Sequence, residues 1–190
     1  MHKQLNNSIK FAKSIDVHAH AVLDQSMGAA GEHGPELVET AGQPSLFRVG
    51  GYELHGVKYR DSAFMDVNKR ITRMATSGID FQILSPNPLT YFHYIDAPSA
   101  ISFCQRHNDV LIDLVKQHPD KLAGFAALPM QDISAACDEL RRAVSELGLL
   151  GAYIGTDIGQ PLDGAALDPL YETCVELDVP LFIHPAPAGI

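Results

Sequence analysis

The chain alternates short apolar runs with longer amphipathic stretches, and this alternation constrains its fold more than any other feature. Five runs rich in β-branched or other apolar residues alternate with four stretches whose apolar residues recur every three or four positions. Such runs are typical of strands, and such stretches are typical of helices. The predicted strands cover residues 14–20, 79–85, 122–128, 150–154 and 180–184, and the predicted helices cover residues 66–77, 97–117, 133–147 and 168–177. This order predicts an α/β fold with a parallel sheet and right-handed crossovers.

Two kinds of parallel sheet fit this order of elements. One is an open, doubly wound sheet, and the other is a (β/α)8 barrel of the TIM type, of which the chain would hold about the first five strands. An open sheet that binds nucleotides would carry a glycine fingerprint, but no GxGxxG follows a predicted strand and no GxxxxGK[ST] occurs. Dinucleotide and P-loop sites therefore lose their main support, while both architectures stay open.

One long insert, residues 21–60, separates the first predicted strand from the first predicted helix. It is irregular and carries seven of the 15 glycines. Loops of this length at the carboxyl end of a strand are usually functional, most often as lids. We expect one domain over residues 1–190, in which the insert is a lid.

The first predicted strand ends in the segment IDVHAH at residues 15–20. A period of two places His18 and His20 on one face of the strand, with Ile15 and Val17 on the other. Imidazole is a good ligand for zinc and similar divalent metals, so this pair would supply two ligands of a metal site. The alternative is an ordinary pair of surface histidines at a strand end.

A third histidine, His184, ends the fifth predicted strand. In a closed barrel the first and fifth strands face each other across the interior, so His184 would approach His18 and His20. The carboxyl ends of the strands are also where barrel enzymes have their sites. The alternative for His184 is a buried core histidine that precedes a proline.

Arginine and aromatic residues near the same strand ends are weaker candidates. Arg48 and Arg60 lie in the insert and could hold a substrate carboxylate through two hydrogen bonds, although most loop arginines are only solvated. Tyr91, Phe92 and Tyr94 follow the second predicted strand and could form the wall of a site for a flat substrate, or simply pack against the insert. Neither a serine nucleophile elbow nor a Cys-His pairing is evident, which argues against covalent catalysis.

Five segments of the chain share a pattern with one known family. They are IDVHAH at 15–20, KRITRMATSGIDFQILSPNP at 69–88, GFAALPMQD at 124–132, ELGLLGAYIGT at 146–156 and VPLFIHP at 179–185. Together they resemble the amidohydrolase-related metal-dependent decarboxylases, the group that includes aminocarboxymuconate semialdehyde decarboxylase. The resemblance implies a distorted (β/α)8 barrel, of which this chain would be the N-terminal part.

The resemblance also implies roles for individual residues. His18, His20 and His184 would hold one divalent metal, zinc, together with an Asp that follows the eighth strand of the family. A catalytic His at the sixth strand is also implied, as is a substrate-binding Arg that falls at Arg60 when one gap is allowed. The sequence stops at Ile190, after the fifth predicted strand, so we expect a fragment that is inactive alone and whose open edge must be covered.

Three functional hypotheses follow. The first is a metal-dependent decarboxylase of a small unsaturated or aromatic carboxylic acid, with Arg60, Tyr91 and Tyr94 in contact with the substrate. The second is a metal-dependent hydrolase of a lactone or amide, and the third is a non-catalytic fragment or pseudoenzyme. The resemblance favours decarboxylation, and aromatic side chains with arginines suit a flat anion better than a neutral amide.

Charge and cysteine content limit the partners and the location of the protein. The net charge is −9 and no basic run occurs, which argues against nucleic acid or an anionic membrane surface as a partner. No stretch approaches the ~20 apolar residues of a membrane span. Three cysteines lie far apart in apolar stretches, which predicts buried thiols in a reducing compartment, the cytoplasm. We expect a small carboxylic acid as the ligand, with a homodimer left open.

Overall fold

The structure, a computed structural model, describes residues 9–185, so both ends of the predicted domain, residues 1–8 and 186–190, lie outside the described part. Strands and helices alternate along most of this range. In chain order they are β1 (Ile15–Ala21), β2 (Glu36–Val38), β3 (Leu46–Val49), β4 (Tyr52–His55), α1 (Val67–Thr76), β5 (Phe81–Pro86), α2 (Ala97–Val115), β6 (Leu122–Gly124), β7 (Ala126–Ala127), α3 (Ile133–Arg142), β8 (Ala152–Gly155), α4 (Asp168–Leu177) and β9 (Leu181–His184).

The five predicted strands form a parallel arrangement. β5 pairs with β1 on one side and with β6 on the other, and β8 pairs with β7 and β9. β6 and β7 are two parts of the third predicted strand, interrupted at Phe125, where pairing changes from β5 to β8. The Phe125 amide still donates to the Leu84 carbonyl at 2.8 Å. The predicted α/β fold with parallel strands is therefore confirmed.

Helix boundaries follow the capping residues of the sequence. The Asp66 carboxylate accepts hydrogen bonds from two backbone amides in the first turn of α1 at 2.9 and 3.0 Å, and Asp132 caps α3 in the same way at 3.0 Å. Gly78 and Gly148 follow the helices with φ of +69° and +88°, a conformation that glycine adopts without strain. The third predicted helix, residues 133–147, is α-helical only to Arg142 and then widens into a π-helical turn.

Both faces of the parallel strands are apolar. Leu84 and Leu122 pack outward against the helices within the largest buried cluster. Phe81, Ile83 and Tyr153 belong to a second buried cluster on the opposite face. Strands covered on both faces are typical of a barrel wall.

The insert is more regular than predicted. β2, β3 and β4 form a small antiparallel sheet, so the expectation of an irregular insert is wrong for this part. Phe47 and Val49 are buried and pack with Phe92 and Phe103, beside α2. The alternation in Leu46–Val49, with every second residue buried, is the signal of a strand. The role of the insert as a lid stays a prediction.

Two features mark the amino ends of the strands: hydrogen bonds to Asp80 before β1, and a close backbone approach at Gly151 before β8. The Asp80 carboxylate accepts hydrogen bonds from the amides of Lys13 and Ser14 at 2.8 and 3.1 Å, just before β1 begins. At the start of β8, a Cβ added to Gly151 would lie 2.2 Å from the Pro180 carbonyl oxygen. The strands approach too closely there for any residue other than glycine.

The remaining expectations concern cysteines and membranes. Cys104, Cys137 and Cys174 are free and buried, as predicted. Within residues 9–185, no helix has the length and apolar character needed to cross a membrane.

Candidate metal centre

The first strand reaches the site through a β-bulge. The pairing of β1 with β5 shifts register within residues 16–19, with Ile15 opposite Phe81 and His20 opposite Ser85. Phe81 and Ser85 are four positions apart and therefore face the same side, so Ile15 and His20 also share that face. The prediction that placed Ile15 on the face opposite the histidines is wrong, because the bulge adds a residue and resets the alternation.

The three predicted metal ligands come together. Nε2 of His18 lies 3.1 Å from Nε2 of His20 and 2.9 Å from Nε2 of His184. The three rings each offer one nitrogen, and these atoms all lie within 4.8 Å of one another. His18 is exposed, whereas His20 and His184 are half-buried. The carboxyl ends of β1 and β9 therefore place three imidazole nitrogens around one point.

The other ring nitrogens of two histidines face hydrogen-bond acceptors. Nδ1 of His20 lies 2.9 Å from the Pro86 carbonyl oxygen and 3.1 Å from the Ser85 hydroxyl. Nδ1 of His184 lies 2.7 Å from the Pro185 carbonyl oxygen. A proton on each Nδ1 satisfies these carbonyls and leaves the Nε2 lone pairs directed at the cluster, as metal-binding histidines require.

Two of the three donor separations fit a divalent cation. Two imidazole nitrogens bound at about 2.0–2.1 Å to one ion would lie about 2.8–3.4 Å apart for ligand angles between a right angle and tetrahedral. The observed separations of 2.9 and 3.1 Å fall within this range. Three histidines leave further coordination positions on such an ion.

The environment favours neutral imidazoles. The pKa of His20 is lowered to about 4, chiefly by burial and to a smaller extent by His184, His18 and Arg70, although the hydrogen bond to Pro86 raises it. Burial also lowers the pKa of His184. A neutral ring keeps the lone pair that a metal needs.

Aromatic rings form one wall beside the histidines. The Tyr91 ring centroid lies 6.1 Å from that of His184, and Tyr153 lies 5.9 Å from His20. Tyr153 also stacks on Phe182 at 4.9 Å. The structure thus brings the predicted Tyr91 to the site and adds Tyr153 and Phe182, which the alternation within their strands could have placed on the interior face.

Two tyrosines in this wall are neutral phenols at pH 7. Burial raises the pKa of Tyr91 above its ordinary value. Burial raises that of Tyr153 as well, although the neighbouring hydroxyls of Tyr91 and Ser85 lower it. The Ser85 hydroxyl also lies 3.1 Å from Nδ1 of His20.

Two other predicted residues contact the insert and its surroundings instead. Arg60 binds the carboxylates of Glu39 at 2.6 Å and Asp24 at 3.1 Å. The exposed Tyr94 has ring contacts with His33, Phe92 and His93. In the described part of the chain, these contacts do not include the three histidines, and the substrate-binding roles of Arg60 and Tyr94 stay predictions.

Comparison with known proteins gives relatives over most of the chain. A family model described as "Amidohydrolase" matches residues 15–189. A 2-amino-3-carboxymuconate-6-semialdehyde decarboxylase from Dictyostelium discoideum is 35% identical over 126 residues, covering 66% of this chain and 35% of the relative. A gamma-resorcylate decarboxylase from Polaromonas is 38% identical over 132 residues, covering 65% and 40%.

A solved structure extends the similarity to the fold. The crystal structure of a dihydroxybenzoic acid decarboxylase from Polaromonas, with bound manganese and the inhibitor 2-nitroresorcinol, has a TM-score of 0.68 and 29% identity. The match covers 93% of this chain and 50% of that one. The chain thus spans half or less of the length of each of these three proteins.

Proposed function

Since the chain belongs to the amidohydrolase family, we propose that the whole protein is a metal-dependent decarboxylase of a small unsaturated or aromatic carboxylic acid. The predicted family and the TIM-barrel type of fold are confirmed. The observation that carries the proposal is the convergence of three Nε2 atoms at the ends of β1 and β9. Similarity to proteins named as decarboxylases of such acids supports this reaction over hydrolysis.

We propose that His18, His20 and His184 hold one divalent ion. Three imidazoles suit zinc, whereas the Polaromonas structure contains manganese, so elemental analysis of the protein decides between them. A divalent cation supplies a Lewis acid for negatively charged substrate oxygens.

The surrounding residues suit a flat anion. The ring of Tyr91 and the stacked pair of Tyr153 and Phe182 offer apolar faces beside the histidines. Arg60 would exchange its present carboxylate partners for the carboxylate of the substrate, which has the same planar geometry. The insert would then cover the substrate and exclude water.

The reaction replaces a carboxylate with a proton. The bond between the carboxylate and its carbon breaks, CO2 leaves, and the bonding electrons remain on the carbon, which takes up one proton. Because one relative is named a gamma-resorcylate decarboxylase, gamma-resorcylate and other aromatic acids are the first substrates to test. In D2O the metal-loaded protein should release CO2 and leave one deuterium at the former carboxyl carbon. Hydrolysis of lactones or amides with no CO2 from any such acid would replace this proposal with the hydrolase hypothesis.

The metal site has its own test. His20→Ala should lower metal content and activity together, because one of three nitrogen donors is lost. His55→Ala, which changes an exposed histidine of the insert, is the matched control and should change neither. Full metal occupancy in a variant with both His18 and His20 replaced by alanine would contradict the assignment.

A further inference from the structure

We propose that Arg70 is a positioning residue of the metal centre: from α1 it fixes the bulged end of β1 and thereby sets where His18 and His20 point. This inference rests on the proposed function, because it concerns the same site. It assigns a role to a buried cation whose guanidinium binds the backbone of His20 and the side chain of Gln82.

Arg70 reaches the bulge directly. It is 6% exposed, and its Nη2 donates to the carbonyl oxygen of His20 at 2.7 Å. Its Nη1 donates to Oε1 of Gln82 on β5 at 3.0 Å. One guanidinium therefore ties α1 to both strands at the site.

The hydrogen-bond network of Arg70, Gln82 and Asp16 also reaches His18. The amide of Gln82 donates to Oδ2 of Asp16 at 2.9 Å, and Oδ1 of Asp16 accepts the backbone amide of His18 at 2.9 Å. Arg70 and its partners thus hold the backbone of both histidines, one through an N–H group and the other through a carbonyl.

The location of these contacts coincides with the register shift. Asp16 lies opposite Gln82 before the shift, and His20 lies opposite Ser85 after it. A bulge interrupts the regular ladder, so its backbone groups need other partners. Side chains supply them here, at the segment whose shape directs two nitrogen donors to one point.

The charge of Arg70 is kept despite burial. Burial lowers the pKa of Arg70 and the nearby Asp16 raises it, and the resulting value of about 10 keeps the guanidinium cationic at pH 7. The neutral Gln82 lies between the cation and the carboxylate and bonds to both. Without Arg70, the His20 carbonyl and Gln82 Oε1 each lose a charged donor.

The test compares two arginines on one helix. Arg70→Met removes the network, whereas Arg73→Met changes an exposed arginine three positions further along α1. Zinc and manganese dissociation constants are measured by equilibrium dialysis of the metal-free protein. Partners that orient metal ligands typically contribute about 10–100-fold in metal affinity. We expect that increase in Kd for Arg70→Met and less than about a twofold change for Arg73→Met.

Two more measurements separate positioning from simple packing. The thermal midpoint of each metal-free variant reports general destabilisation. A crystal structure of metal-free Arg70→Met reports the distance between the Nε2 atoms of His18 and His20, and this distance should exceed its present 3.1 Å. Arg70→Lys keeps the charge but not the two-pronged geometry, so its metal affinity should lie between those of the wild type and Arg70→Met. It also serves as the test variant if Arg70→Met does not fold.

A lower thermal midpoint with unchanged metal affinity and unchanged nitrogen separation would overturn the inference, because Arg70 would then only stabilise the core. A wild-type protein that binds metal but releases no CO2 refutes the proposed decarboxylase, while the affinity ratio still decides the role of Arg70. Metal affinity is measured without substrate, so the two failures are distinguishable.

Discussion

Replacing Asn108 by alanine should be among the most damaging single changes to this fold. Asn108 lies on α2 and is fully buried. Its Oδ1 accepts the Ala127 amide at 2.8 Å, and its Nδ2 donates to the Ala127 carbonyl at 2.9 Å and to Glu139 at 2.7 Å. The side chain thus makes the two backbone hydrogen bonds with Ala127 of β7 that an adjacent strand would make, and it also links α2 to α3.

The magnitude follows from what the substitution leaves unpaired. The N–H and C=O groups of Ala127 both lose a buried partner, at about 1–3 kcal/mol each. Glu139 loses one donor but keeps two hydrogen bonds from Arg142, both at 2.8 Å, so its share is about 1 kcal/mol. Asn108→Ala should therefore lower the free energy of unfolding by about 3–7 kcal/mol.

Urea unfolding followed by circular dichroism measures this loss. With a slope of about 2 kcal/mol per molar urea, the midpoint should fall by about 1.5–3.5 M. Asn68→Ala, at an exposed position of α1, is the matched control and should change stability by less than about 0.5 kcal/mol. A loss below about 1 kcal/mol for Asn108→Ala would refute the reasoning, since Ala127 would then have found other partners.

Three further predictions concern the strand ends and the insert. Gly151→Ala should lower the thermal midpoint by several degrees or prevent folding, because its Cβ would lie 2.2 Å from the Pro180 carbonyl oxygen; an unchanged midpoint would contradict the close approach of β8 and β9. Two backbone amides hold the pKa of Asp80 below its ordinary value. Its contribution to the free energy of unfolding is therefore present at pH values above the pKa of the unfolded state, and it is lost as pH falls through the pKa of the folded state. Asp80→Asn should thus reduce stability at pH 7 and flatten its decline in acid, and a parallel stability curve would argue against this linkage. Arg60→Lys should raise KM for a carboxylate substrate, because a point charge cannot reproduce the planar fork; impairment of Arg48→Lys alone would assign that role to Arg48.

Much of the fold could be predicted because its signals are local. Asp132 is a typical N-cap residue and marks the start of α3, and Gly78 is a typical residue after a helix end and marks the end of α1, each to within about a residue. The break at Phe125 could not be predicted, since it arises where one strand exchanges partners between β5 and β8. Pairing between distant segments leaves no periodic trace in either segment.

The same distinction applies to the site. His18, His20 and His184 could be found because each ends, or nearly ends, an apolar strand, and parallel strands carry their carboxyl ends to one edge. The supporting contacts of Ser85 and Arg70 could not be found, because they depend on the bulge in β1 and on the packing of α1 across it. A serine or arginine in those segments has no pattern that separates it from its neighbours.

The small antiparallel sheet of the insert combines an anchored part and an exposed part. Phe47 and Val49 anchor it to the domain, whereas Tyr52, Glu53 and His55 on β4 and the turn at residues 39–44 are exposed. The anchoring residues carry the packing energy, and the exposed ones carry almost none. The tip of the turn, residues 40–44, can therefore be lengthened or recharged while the strands that present the three histidines remain untouched.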